Sequence, residues 1–201
     1  MRVLVACEES QAVCKAFRNK GAEAFSCDLK DCSGGHPEWH IKGNALDYLD
    51  DDWDLIIAHP PCTYLTIAGS IWLSRDCTRL SKGFEAADFF MKFYNCKCDK
   101  VCIENPVPMK VFNLPPYSQI IYPYNFGAES KKKTCLWLKG LPLLKPTKQI
   151  DPDTIPMYIR EYKGKKKTCT QWYSNGNSVT RSKTFPEIAE AMADQWYFEK
   201  E

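Results

Sequence analysis

The sequence predicts an α/β fold built on a mostly parallel sheet, and three stretches carry that expectation. Arg2 to Ala6 is an apolar run, Ser10 to Lys20 is amphipathic and ends at Gly21, and Ala24 to Ser26 opens a second run closed by Cys27-Asp28. Strand, helix and strand in such quick succession make a βαβ unit, which requires parallel pairing. Leu55-Ile56-Ile57-Ala58, inside WDLIIAHPPCT, has the length and uniform apolarity of a strand buried on both faces. Lys100 to Ile103 repeats that layout and runs into Glu104-Asn105-Pro106.

The remaining elements follow in chain order. After Asp28 a loop holds Ser33-Gly34-Gly35 and His36-Pro37, and a short strand and turn span Trp39 to Asp47. The strand Asp54 to Ala58 stops at His59-Pro60-Pro61, because two prolines cannot donate to a ladder and keep the chain extended. Thr63 to Lys82 reads as a loop with some helical content. Phe84 to Tyr94 is expected as a helix with Phe84, Ala87, Phe90, Met91 and Tyr94 on its apolar face. Strands are expected at Gln119 to Tyr122 and Thr134 to Leu138. The last helix runs from Pro186 to Phe198, with Thr184 as its N-cap.

With 201 residues, 44% hydrophobic and 26% charged, the chain suits one domain, residues 1–201, with a full core. A formal charge of +2 favours no class of partner, so charge must be read locally. Residues 145–183 hold nine basic residues against three acidic ones, a net +6, with Tyr158, Tyr162, Trp172 and Tyr173 interleaved. Such a mixture can track a phosphate backbone and stack on bases. It also fits a solvated loop whose aromatics pack inward. The eleven cysteines lack disulfide-scaffold spacing, and no signal peptide or membrane-length apolar run accompanies them, so reduced thiols in the cytoplasm are expected.

Cys62 follows Pro60-Pro61 at the carboxyl end of a strand, which is where open α/β sheets bind ligands. The prolines would fix the direction of its thiol, and a thiolate is the nucleophile such a position suits. Attack at carbon 6 of a pyrimidine becomes feasible when ring nitrogen 3 is protonated or hydrogen-bonded, and Glu104 is the group for that task. Taken singly, Cys62 also reads as a small buried hydrophobe and Glu104 as a surface carboxylate. The pair, each beside prolines at a strand end, favours chemistry.

Pro60-Pro61-Cys62 and Glu104-Asn105-Pro106 resemble the catalytic motifs of the DNA cytosine-5 methyltransferases. The chain is similar in particular to small phage and prophage proteins of that type, through ACEES at Ala6, SCDL at Ser26, WDLIIAHPPCTYLT at Trp53, IENP at Ile103, TCLWLKGLPLL at Thr134 and RSKTFPEIAEAMADQW at Arg181. The resemblance implies a Rossmann-like class I methyltransferase fold, its central sheet covered by helices on both faces and its last strand antiparallel. It implies S-adenosyl-L-methionine as cofactor, DNA as partner and, for a phage protein, the host bacterial cytoplasm as location. Cys62 would attack carbon 6, Glu104 would assist at nitrogen 3, and carbon 5 of cytosine would take the methyl group. Glu8, Asp28, Asp47 and Pro60 would hold the cofactor, with Asp28 on the ribose hydroxyls. Pro61, Asn105, Lys131, Lys132 and Lys133 would face the substrate.

Three features differ from the larger enzymes of that family. The turn after the first strand, Cys7-Glu8-Glu9-Ser10-Gln11, has no glycine, where a backbone close to a ligand favours one. Ser130-Lys131-Lys132-Lys133-Thr134 stands where the family has a glutamine–arginine motif, and lysine supplies a point charge without arginine's bidentate fork. Only the basic segment 145–183 is free to read a sequence, so a homodimer or a partner supplying recognition is expected beside DNA. Methylation of a pyrimidine nucleotide or of RNA, and non-catalytic binding by a methyltransferase-like phage protein, are the alternatives. The spacing of Cys27, Cys32, His36 and His40 invites a zinc site, but Pro37 interrupts the histidines and Cys27 points by alternation into the sheet, so no metal is expected.

Overall fold

The computed structural model describes residues 1–67, 76, 78–162, 164–170 and 183–199. Arg181, Trp172, Tyr173 and Lys163 of the basic segment fall outside these residues. The protein is α/β, with a seven-stranded mixed sheet that is parallel over most of its width. Its strands are β1 (Arg2–Ala6), β2 (Glu23–Asp28), β3 (His40–Lys42), β4 (Leu55–Ala58), β5 (Val101–Asn105), β6 (Gln119–Ile121) and β7 (Thr134–Lys139), in the spatial order β3-β2-β1-β4-β5-β7-β6. Pairings from β3 through β5 are parallel, and β7 runs antiparallel to both β5 and β6.

Helices α1 (Ala12–Asn19) and α3 (Pro186–Trp196) cover one face, and α2 (Thr78–Tyr94) covers the other. The alternation of side chains along a strand divides the core accordingly. Val3, Val5, Leu55, Ile57 and Cys102 pack with Phe17, Ile188, Met192 and Trp196 on the first face. Leu4, Ala6, Cys27, Ile56, Ala58 and Ile103 pack with Phe90, Phe93 and Trp137 on the second. Trp137 meets the Phe90 ring edge-on at 4.9 Å, and its Nε1 donates to the carbonyl of Pro115 at 2.7 Å. Cys27 and Cys102 are thus core residues.

Four expectations need correction. The first helix begins at Ala12, two residues after Ser10, because Gln11 takes the left-handed conformation at φ 58°. Helix α2 begins at Thr78, where Asp76 Oδ1 accepts from the Thr78 amide, so the helical part reaches well before Phe84. Its buried face is Gly83, Ala87, Phe90 and Phe93, while Phe84 and Tyr94 are exposed. Thr184 does not cap the last helix: Phe185 is the N-cap residue and makes no side-chain cap, and the last helix ends at Trp196. Part of the basic segment forms a hairpin, β8 (Met157–Tyr162) and β9 (Lys165–Thr170), turning at Gly164 with φ 71°. The sequence marks this segment only as a basic, aromatic-containing insertion, without assigning it strands.

Candidate active site

Strand order reverses direction between β1 and β4, and the carboxyl ends of β1, β2 and β4 open onto one crevice there. A cavity of ≈ 300 Å³ lies in it, and its walls include Glu8, Asp28, His59, Cys62 and Thr184. The volume is at the small end of small-molecule sites, which run from about 300 to 1,000 Å³. A second hollow of ≈ 610 Å³ shares Ser10, Lys183 and Thr184 with it and runs between α1 and the start of α3.

Cys62 reaches the cavity because the chain beyond β4 is pinned on both sides. The Asn105 amide nitrogen donates to the Pro60 carbonyl at 2.8 Å, tying the proline pair to β5. The Cys62 carbonyl accepts from the amides of Leu65 and Thr66, and Ile67 and Met109 link the following turn to residues 65 and 107. Pro61 is exposed and lines the cavity; Pro60 is buried and stands outside the lining. Burial pushes the Cys62 thiol above its ordinary value, the Lys132 charge pulls it back down, and the Glu104 charge pushes it up again. At neutral pH the free protein therefore holds Cys62 as a thiol.

Glu104 lies on β5, one strand away. The β4–β5 register pairs Ile57 with Cys102 and Ala58 with Ile103, so the next residues, His59 and Glu104, fall side by side on the same face. His59 Nδ1 and Glu104 Oε2 are 2.9 Å apart, with both side chains 11% exposed. Lys132 Nζ stands 3.9 Å from Glu104 Oε1. Burial alone would raise the Glu104 carboxyl, but the Lys132 charge, the His59 contact and a hydrogen bond from Thr184 outweigh it and hold it down at about 2. Burial opposes charge on His59 as well, yet the hydrogen bond and charge of Glu104, with the charge of Glu8, keep its imidazole above the ordinary 6.5 against the repulsion of Lys132. At neutral pH Glu104 is a carboxylate, and its charge favours the protonated form of His59.

The glycine-free turn after β1 adopts left-handed backbone at both ends, with φ 59° at Cys7 and 58° at Gln11. The Gln11 side chain is fully buried, donating to the His36 carbonyl at 2.8 Å and to Ser26 Oγ at 3.2 Å, and accepting from the His36 amide at 3.0 Å. Gly34 passes so close that an added Cβ would lie 2.5 Å from that of Gln11. Glu8 lines the cavity, but its two oxygens accept from the amides of Val13 at 2.7 Å and Cys14 at 3.2 Å at the start of α1. Burial raises its carboxyl above the ordinary range. Glu9 also lines the cavity, accepting from the Ser33 hydroxyl, with Lys183 Nζ at 3.8 Å.

Asp28, at the end of β2, lines the cavity with Cys7 and Lys30. Asp47 is exposed on the 3₁₀ turn Ala45–Tyr48 and stands outside the lining. Of the lysine run, Lys132 points inward to Glu104, while Lys131 and Lys133 are exposed. The four residues of the zinc pattern have separate surroundings: Cys27 lies in the core, His36 stacks on Trp39 at 3.7 Å, and His40 bridges Ser26 Oγ and the Lys30 carbonyl. Among the described residues no group of three or more His, Cys, Asp or Glu could hold a metal ion. No helix among them is long and apolar enough to cross a membrane.

Comparison of the chain with models of known protein families and with curated proteins gave no match. The functional reading therefore rests on the cavity and its chemistry.

Sequence reasoning passed over His59 and Thr184. His59 stands next to the proline pair, but only the parallel register sets it beside Glu104. Thr184 was read as a helix cap, and its hydroxyl instead serves Glu104 from across the crevice.

Proposed function

We propose that the protein is a Rossmann-like class I methyltransferase that transfers a methyl group from S-adenosyl-L-methionine to carbon 5 of cytosine in DNA. The observation that carries this reading is that Cys62 lines a crevice walled also by Asp28 and His59, while Glu104, on the adjacent parallel strand, stands behind His59 and close enough for its charge to act on the Cys62 thiol. A thiol beside a carboxylate held by two cationic groups suits addition to a pyrimidine ring. Cys62 as thiolate adds to carbon 6, and Glu104 delivers or holds a proton at nitrogen 3 as charge develops there. Lys132 offsets negative charge beside both groups. Asn105 keeps the Pro60 carbonyl, and with it the Cys62 backbone, fixed against β5.

The donor set of the cavity fits the cofactor. Glu9 and Asp28 place carboxylates where an ammonium group and ribose hydroxyls would be bound, and Glu8 adds negative charge behind them. The cofactor supplies an electrophilic methyl group. The basic segment, whose β8–β9 hairpin stands as its own two-stranded sheet, suits a polyanion better than a free nucleotide. A second copy of the chain or a partner protein would supply sequence recognition that so small a segment lacks.

Incubation with methyl-labelled S-adenosyl-L-methionine and, in parallel, duplex DNA, single-stranded DNA, RNA or pyrimidine nucleotides tests the proposal. Mass spectrometry of the digested product should show 5-methylcytosine with DNA, and Cys62→Ala should remove it. Labelling by Cys62→Ala as strong as that by the unaltered protein sinks the covalent mechanism. Labelling of RNA or nucleotide alone moves the substrate.

A further inference from the structure

One lining residue of the cavity touches Glu104 directly and has no use in the reaction as proposed so far. His59 is buried, lines the cavity, and directs Nδ1 at Glu104 Oε2 from 2.9 Å. Its Nε2 is buried and meets no hydrogen-bond partner among the described residues. A buried nitrogen without a partner carries a desolvation penalty, which a purely structural side chain would avoid.

The chemistry also needs a proton that Glu104 does not hold. At neutral pH its carboxyl is ionised, so it cannot protonate nitrogen 3 unaided. Of the groups around it, Thr184 offers a hydroxyl that does not ionise in this range, and Lys132 stands at 3.9 Å, an ion-pair separation rather than a hydrogen bond. Of these groups only His59 is both in direct hydrogen-bond contact and a side chain that ordinarily titrates near neutrality, its hold on the proton strengthened by Glu104.

Building on the methyltransferase reading, we propose that His59 is the proton reservoir of Glu104, lending the proton that ring nitrogen 3 of cytosine takes up and recovering it at the end of the reaction. The Cys62 thiol gives its proton to water, and as the sulfur–carbon 6 bond forms, the electron pair of the carbon 5–carbon 6 double bond shifts through the ring toward nitrogen 3. The proton passes from Nδ1 to the Glu104 carboxyl and on to nitrogen 3, leaving His59 neutral. When the thiolate leaves and the ring regains its double bond, nitrogen 3 returns the proton by the same route. The hydrogen lost from carbon 5 goes to water. A proton on Glu104 also removes the negative charge that disfavours Cys62 ionisation, so the transfer favours the nucleophile at the moment it is needed. The charged groups facing His59 are Glu104 from β5, Glu8 from the turn after β1, and Lys132 from the segment before β7.

Two measurements test this, and neither uses the methyl donor. The first follows tritium release to water from duplex oligodeoxynucleotides of random sequence carrying tritium at carbon 5 of cytosine. Addition of Cys62 lets carbon 5 take a proton from water, and reversal releases the label. The unaltered protein should give a bell-shaped pH profile, because it needs Cys62 ionised and the His59–Glu104 pair protonated. His59→Gln should be slower by ~100-fold, and its rate should lose the alkaline fall and follow Cys62 ionisation alone. An unchanged rate and profile in His59→Gln, with Cys62→Ala silent, overturns the proton role and leaves the methyltransferase reading standing. No release from the unaltered protein, matching Cys62→Ala, overturns both. The second is the imidazole titration of His59 by NMR in the free protein, which needs no substrate. Glu104→Gln should lower the His59 midpoint, and an unmoved midpoint overturns the pairing.

Discussion

Asn105 shows how much of the site depends on single buried polar groups. It is 2% exposed, and its side-chain nitrogen satisfies the Pro60 carbonyl, which accepts from no backbone amide among the described residues. Asn105→Ala leaves that carbonyl buried and unpaired, so a loss of about 1–3 kcal/mol is expected in urea unfolding. The Cys62 loop should loosen with it, read as faster amide exchange at Leu65 and Thr66, whose amides close on the Cys62 carbonyl. A loss under a few tenths of a kcal/mol would mean that the Pro60 carbonyl finds another partner. Gln11 illustrates the same dependence differently. It bears the strain of a positive φ that a glycine would relieve, and its side chain repays this by joining β2 to the loop before β3.

At the scale of elements, α2 is placed by shape. Gly83 lies within the helix against Phe112, and an added Cβ would approach the ring at 2.1 Å. Phe112 cannot swing aside freely, since it is packed with Leu65, Ala87 and Met109 and meets Phe84 edge-on at 5.4 Å. Alanine improves helix propensity by about 1 kcal/mol, but overpacking such a contact costs about 1–3 kcal/mol. Gly83→Ala is therefore expected to give a net loss of up to roughly 2 kcal/mol, seen as a lower urea midpoint. Gly83→Ala combined with Phe112→Leu should recover part of it, and no recovery would place the strain elsewhere. Leu65 and Met109 flank the Cys62 loop, so this contact also bears on the site.

For the whole molecule, the buried charges of the crevice give stability a pH dependence of determined sign. Glu104 is held at about 2, below its ordinary 4.5. Its contribution is present above 4.5 and is lost as pH falls through that value toward 2, on the order of 2–3 kcal/mol. His59 is raised above 6.5, so its contribution is complete below 6.5 and is lost as pH rises through the folded value. Glu8 is raised as well and likewise loses stability as pH rises through its folded value. Urea midpoints should therefore be highest in the weakly acidic range and fall on both sides. Glu104→Gln should remove most of the acid limb, and an acid limb of unchanged size would assign it to other carboxylates.

Much of the fold was legible because its signals are local. The apolar runs of β1, β4 and β5, the prolines that end them, and the strand–helix–strand opening dictate a parallel α/β sheet by length and hydrogen-bonding chemistry alone. The positions of Cys62, Asp28 and Glu104 at strand ends follow from the same signals. The hairpin β8–β9 was not legible, since MYIREY and KKKTCT show no regular alternation of apolar and polar residues to mark a strand. Asp47 is a site residue only by the family resemblance, and the 3₁₀ turn Ala45–Tyr48 carries it outside the cavity lining. What the amino-acid sequence determined by itself is which groups arrive at the carboxyl edge of the sheet. Only the tertiary structure decided which of them touch: parallel register sets His59 beside Glu104, the approach to α3 brings Thr184, and the turn into β7 brings Lys132. Register and the approach of distant segments arise from packing across the whole core, and no local pattern encodes them.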